Sequence, residues 1–132
     1  MKVLFDANVV LDVLLKRPGF GESALALAKV PQPWITALSV ANICYIIGRS
    51  KRVRISVSLD FLRKKFHIAA VAGSTIERAV HLAYDDFEDA IQVAAAEENG
   101  IRHLVTRNLP DFQSTRHVQI LSVAKLLERL PD

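Results

Sequence analysis

The sequence predicts a doubly wound α/β fold, a parallel sheet covered by helices on both faces, and three observations carry that expectation. Short apolar runs alternate with amphipathic helical patterns along the chain, the order that builds a parallel sheet from crossover units. The 132 residues are 51% hydrophobic, enough for one compact domain over 1–132 with no room for a second. Acidic or amide side chains stand just past the apolar strands or at helix starts, toward the carboxyl edge where open α/β sheets bind ligands.

Each element has a local reason. The first strand covers 3–5, apolar throughout, and Asp6 marks the turn into a helical run over 9–15 that Lys16-Arg17-Pro18-Gly19 ends. A helix over 21–30 runs through Ala24, Leu25 and Ala28 until Pro31-Gln32-Pro33 stops it before a second strand over 34–36. From Ser39 a helix places Val40, Ile43, Cys44 and Ile47 at the spacing of a buried stripe, with Asn42 beside it. Next come a helix over 56–65, a strand over 68–71 and a helix over 74–84 that turns Ile76, Ala79, Val80 and Ala83 toward the core. A helix over 86–98 is closed by Asn99-Gly100. Strands over 103–106 and 118–121 follow, and Val123, Leu126, Leu127 and Leu130 make a last amphipathic helix.

Composition excludes some classes. A net charge of +3 permits an anionic partner without requiring one. Cys44 is the only cysteine, which rules out an intrachain disulfide and makes a reducing cytoplasm the expected setting. The first apolar run is cut by Asp6 and Asp12 and followed by Lys16-Arg17-Pro18, so neither a signal peptide nor a membrane span is expected. His67, His81, His103 and His117 lack the close spacing of a zinc site and receive no role.

The polar candidates each have two readings. Asp6 either caps the following helix or binds a cation at the sheet edge, and for a single Asp capping is the stronger reading. Asp12 either forms hydrogen bonds or lies on a solvated helix face. Asp85, Asp86, Glu88 and Asp89 gather at a helix start, where the macrodipole favours negative charge, and Asp86 with Asp89 resembles a cap. Helix stabilisation accounts for two of these acids, and the surplus points to a cation. Asn108-Leu109-Pro110-Asp111 has the composition of an Asx turn, and Asn42 needs hydrogen bonds if buried. Lys51, Arg52, Arg54, Arg63, Lys64 and Lys65 form a basic stretch, read equally as a solvated face or a phosphate-binding one, and Arg107 and Arg116 lie near the last motif.

Three motifs taken together carry more than any single residue. Phe5-Asp6-Ala7-Asn8-Val9-Val10-Leu11-Asp12, Asp86-Phe87-Glu88-Asp89-Ala90-Ile91-Gln92 and Leu104-Val105-Thr106-Arg107-Asn108-Leu109-Pro110-Asp111-Phe112, with Asn42 between the first two, resemble PIN-domain ribonucleases over nearly the whole chain. The resemblance implies a three-layer α/β/α sandwich with a parallel sheet of about five strands in the order 3-2-1-4-5, so that Asp6 and Asn108 meet at the topological switch point. It implies Mg²⁺- or Mn²⁺-dependent RNA cleavage, and kinship with VapC-like toxins held by a cognate antitoxin and assembled as homodimers, for which the helices over 9–30 offer a surface. Carried over residue by residue, Asp6, Asp89, Asn108 and Asp111 become the catalytic set. Asp6, Asp89, Asp111 and Asn42 become the metal ligands, with Asp86 and Asp12 as possible replacements, and Asn8 and Arg107 become RNA contacts.

The sequence departs from that family at two places. Asn42 stands where Glu is usual and Asn108 where many relatives have Asp, which removes two of four charges. A catalytically weakened RNA- or protein-binding module is therefore the alternative. A haloacid-dehalogenase-like phosphatase fits less well, because its paired acids follow the threonine motif, whereas Asp85-Asp86 precedes Thr106 here.

Overall fold

The computed structural model describes residues 1–50, 53–112 and 114–131. Strand β1 (Lys2–Phe5) leads into helix α1 (Ala7–Leu14) and α2 (Phe20–Lys29). Strand β2 (Gln32–Thr36) is followed by α3 (Ala37–Ser50) and α4 (Ile55–Lys65), and β3 (His67–Ala69) by α5 (Gly73–Val80) and α6 (Phe87–Glu98). Strand β4 (His103–Val105), a 3₁₀ turn (Leu109–Asp111), β5 (Gln119–Leu121) and α7 (Val123–Arg129) complete the order. The five strands form one parallel sheet, ordered β3-β2-β1-β4-β5. Every predicted strand is present within a few residues of its expected position, and the strand order is the expected one.

Period-two alternation sorts the sheet's side chains to two faces. Val3, Phe5, Ile35, Val105 and Leu121 pack against α1, α2, α3, α4 and α7 through Val9, Leu27, Ile43, Leu62 and Leu126. Leu4 and Leu104 point the other way, toward Val93 and Ala96 of α6. Helix α5 joins that second layer by setting Ala79 against Ala90, Ile91 and Ala94. Helix α6 is the central piece of this layer, because every residue from Asp89 to Ala96 is buried. Its end is a Schellman motif: Ile101 N–H donates to Ala96 O at 2.9 Å and Gly100 N–H to Glu97 O at 3.3 Å, with Gly100 at φ +65°. Asn99-Gly100 is therefore the stop that the sequence predicts.

Helix α5 corrects an expectation. It ends at Val80 rather than near 84, and Ala83 lies in the left-handed region at φ 55°. Its buried residues are Thr75 and Ala79, whereas Ile76 and Val80 are exposed. The reason is polar: Thr75 Oγ1 donates to Glu98 Oε1 at 2.5 Å and accepts the Ala72 N–H at 3.0 Å, so the hydroxyl is satisfied in the helix–helix contact and the small Ala79 completes it. The helices over 9–30 likewise use Val9, Val10, Leu11, Ala26, Leu27 and Val30 in the core, leaving Phe20 and Leu25 exposed. Among the described residues no helix is long and apolar enough to cross a membrane. Lys51 and Arg52 lie outside the described residues.

Candidate functional site

The pairing of β1 with β4 builds the site. Phe5 aligns with Val105, so the next residues, Asp6 and Thr106, leave adjacent strands side by side at the carboxyl edge. Asp6 N–H donates to Val105 O at 3.0 Å, and Thr106 N–H to Leu121 O at 3.0 Å, which continues the ladder past the last strand residues.

Asp6 precedes α1, but its carboxylate does not cap it. It accepts instead from Thr106 Oγ1 at 2.8 Å and from Gln92 Nε2 at 3.0 Å. The Thr106 hydroxyl also accepts the Asn108 N–H at 3.0 Å, so one hydroxyl links the loop after β4 to Asp6. Asp6 is 6% exposed and Thr106 fully buried. Two hydrogen bonds to a charged group contribute about 1.5–3 kcal/mol each, against several kcal/mol for burying an ion. Both donors are neutral, so they orient the charge without cancelling it.

Helix α6 brings the second carboxylate. Its N-cap is Asp86, whose Oδ1 accepts from Glu88 N–H at 2.9 Å and Asp89 N–H at 3.3 Å. The buried Asp89 side chain lines the cleft and does not cap the helix. A cleft of about 340 Å³ collects Asp6, Asn8, Asn42, Asp86, Glu88, Asp89, Gln92 and Asn108, with Leu38, Tyr45 and Ile46 of α3 along one wall. Asp6, Asn8, Asn42, Asp89 and Asn108 are thus brought together. Asp111 closes the 3₁₀ turn, and its side chain lies outside the described part of the structure. Asn108 does not cap that turn through its side chain.

Asp12 is turned away from the cleft lining and is 1% exposed, so the solvated-face reading does not hold. Arg107 Nε lies 2.8 Å from Asp12 Oδ2 and Arg17 Nε 3.9 Å from Oδ1. Arg107 is therefore anchored at Nε while 46% of its side chain stays exposed. Arg116 lines a different groove of about 480 Å³ with Arg78, Arg102 and His117, beside the start of β4. Arg63 pairs with Asp60 at 2.6 Å.

Sequence reasoning missed Gln92, Thr106 and the Tyr45–Arg49 pair. Gln92 is three residues past Asp89, the spacing that shares a helix face, and Thr106 follows β4 as Asp6 follows β1. Tyr45 is 64% exposed at the cleft wall, with the Arg49 guanidinium 5.8 Å from its ring centre. Gln92 Oε1 is buried and has no hydrogen-bond donor among the described residues, which costs about 1–3 kcal/mol if it stays so.

Among the described residues no three His, Cys, Asp or Glu side chains form a ready metal cluster. The donor set still fits a hard divalent cation: two carboxylates, Asp6 and Asp89, with amide oxygens on the same cleft and one buried amide oxygen lacking a donor.

The fold is shared with solved structures. A chain of a toxin-antitoxin complex from Klebsiella pneumoniae is 27% identical, with 89% of this chain and 95% of that one covered at a TM-score of 0.74. VapBC2 from Rickettsia felis, bound to a promoter DNA fragment, is 19% identical over 92% and 98% of the two chains, TM-score 0.71. VapC20 of Mycobacterium tuberculosis, a sarcin-ricin loop cleaving toxin, is 16% identical over 86% and 98%, TM-score 0.68. The last two likenesses show the fold alone. No functionally curated protein matches the chain. A family model described as PIN domain matches residues 2–110, more than four fifths of the sequence. With that match and the strand order β3-β2-β1-β4-β5, the chain belongs to the PIN-domain family.

Proposed function

We propose that this PIN domain is a Mg²⁺- or Mn²⁺-dependent endoribonuclease acting as the toxin of a toxin-antitoxin pair. The observation that carries the reading is the convergence of Asp6 and Asp89, from strand β1 and helix α6, in one cleft where neutral donors leave the Asp6 charge uncancelled. Asp6 and Asp89 would hold the cation, with Asn42 and Asn108 adding oxygens and Asp111 joining from the following turn. A bound dication supplies Lewis-acid polarisation of the phosphate and acidification of a water molecule. Thr106 and Gln92 keep the Asp6 carboxylate in one orientation, so it is not free to turn as substrate enters. Asn8 and Arg107, both exposed, contact phosphates, and Tyr45 offers an aromatic face on which an unstacked base can rest.

A second reading is favoured by Asn42 and Asn108, which line the cleft as amides in place of acids. It makes the domain a catalytically weakened RNA- or protein-binding module. In either case a cognate antitoxin placing Arg or Lys into the acidic cleft is the expected partner, and homodimerisation through surfaces that include Phe20 and Leu25 is the expected assembly.

The deciding experiment is cleavage of end-labelled RNA by purified protein with Mn²⁺, repeated with chelator and with Asp6→Asn and Asp89→Asn. Cleavage by the unmodified chain that is lost in all three controls supports the nuclease. No cleavage by folded, partner-free protein across RNAs and metals supports the module. Cleavage that survives both substitutions assigns the activity elsewhere.

A further inference from the structure

We infer that Gln92 is itself a member of the cation site, its Nε2 fixing Asp6 and its Oε1 offering the ion a neutral oxygen; this rests on the metal-dependent reading above. Gln92 is 5% exposed, lines the cleft, donates Nε2 to Asp6 Oδ1 at 3.0 Å and leaves Oε1 without a donor among the described residues. Turning the amide round does not resolve this. It would set Oε1 against a carboxylate that can only accept, and Nε2 would lose its acceptor. Asp6 therefore dictates the orientation, and the leftover oxygen follows from it. A buried oxygen of this kind is expected to meet water or an ion.

Position supports the same assignment. Asp89 and Gln92 are three residues apart on α6, so one helix face brings a carboxylate and an amide side chain to the cleft that Asp6 lines. Hard dications accept carbonyl oxygens as well as carboxylates. Asp6 and Asp89 match the charge of such an ion, and a neutral third ligand raises the coordination number without adding like-charge repulsion. Amides at 42 and 108 on the same cleft follow the same economy of charge.

The test is Mn²⁺ binding, read as the loss of the free-ion electron paramagnetic resonance signal, for the unmodified chain, Gln92→Met and Gln92→Glu, each checked for folding by circular dichroism. Gln92→Met keeps the length and removes the oxygen, and is expected to weaken binding about tenfold or more. Gln92→Glu loses the hydrogen bond to Asp6 but keeps an oxygen at the same reach with added charge, and is expected to bind at least as tightly as the unmodified chain. Mg²⁺ titration of the unmodified chain is expected to shift the Gln92 side-chain amide signals in a ¹H–¹⁵N spectrum, and this readout decides if Gln92→Met does not fold. Equal Mn²⁺ affinity of the unmodified chain and Gln92→Met overturns the inference while the metal site survives. Equal weakening by both substitutions also overturns it, leaving Gln92 only as a group that positions Asp6. Absence of Mn²⁺ binding by the folded unmodified chain overturns this inference and the metal-dependent reading together.

Discussion

Asp6 and Asp12 stand six positions apart, both carboxylates are buried, and the chain uses them in opposite ways. Around Asp6 the donors are a hydroxyl and an amide, Thr106 and Gln92. Asp12 instead faces two guanidiniums as ion-pair partners, those of Arg107 at 2.8 Å and Arg17 at 3.9 Å. A buried charge met by neutral donors keeps its field, and that field points into a cleft. A buried charge met by cations is spent on holding the chain together. The two regions touch through one tripeptide, Thr106-Arg107-Asn108, whose threonine serves Asp6 and whose arginine serves Asp12.

The widest separation between the two is expected from isosteric amides. Asp6→Asn is expected to lower any Mn²⁺-dependent cleavage by more than about 100-fold, since several kcal/mol of charge stabilisation go with the ion. Its unfolding free energy is expected to move by less than about 1 kcal/mol, because an amide can still bond Gln92 and Thr106. Asp12→Asn is the reverse case. Chemical denaturation is expected to show a loss of about 2–3 kcal/mol, below the 3–5 kcal/mol of a fully buried pair because the half-exposed Arg107 can turn to water. If Asp12→Asn proves neutral for stability, or Asp6→Asn costs as much as it, the contrast fails.

Thr106→Val sharpens the comparison by touching the Asp6 side alone. It removes the donor to Asp6 Oδ2 and the acceptor for Asn108 N–H, and is expected to cost about 1–2 kcal/mol in the same denaturation experiment. The smallest effect concerns His103, at the far end of β4. Burial lowers its pKa below the usual imidazole value, and the Arg129, Arg102 and amino-terminal charges lower it further. The unfolded chain thus binds the proton at a higher pH than the folded one, so stability falls as pH drops below about 6.5 toward the lowered value. His103→Gln is expected to flatten that part of the stability profile and leave the neutral-pH value nearly unchanged.

The sheet was readable because parallel strands buried on both faces show as short continuous apolar runs, and α6 because Asn99-Gly100 closes it with a motif written in sequence. The cleft-lining positions Asp6, Asp89 and Asn108 were readable because each follows a strand or opens a helix at one edge, and Asn42, inside α3, because the family resemblance singled it out. Their chemical roles stay proposals. What escaped was set by distant partners. Gln92 meets Asp6 across 86 positions and Thr106 meets it across 100, so nothing in either neighbourhood announces the bond. Asp12 reads as an ordinary helix acid until β4 delivers Arg107 beside it. The face of α5 was misjudged because apolar periodicity favours Ile76 and Val80, while the contact is made by a satisfied threonine and an alanine.

The hundred positions between Asp6 and Thr106 also order events in time. Synthesis delivers β1 first and β4 late, and a contact that closes so long a loop forms only when both strands are available to pair. A nascent chain that ends before Thr106 lacks the hydroxyl and the β4 ladder that orient Asp6. Whatever chemistry the crevice performs, the ribosome must have passed Thr106 before the crevice exists.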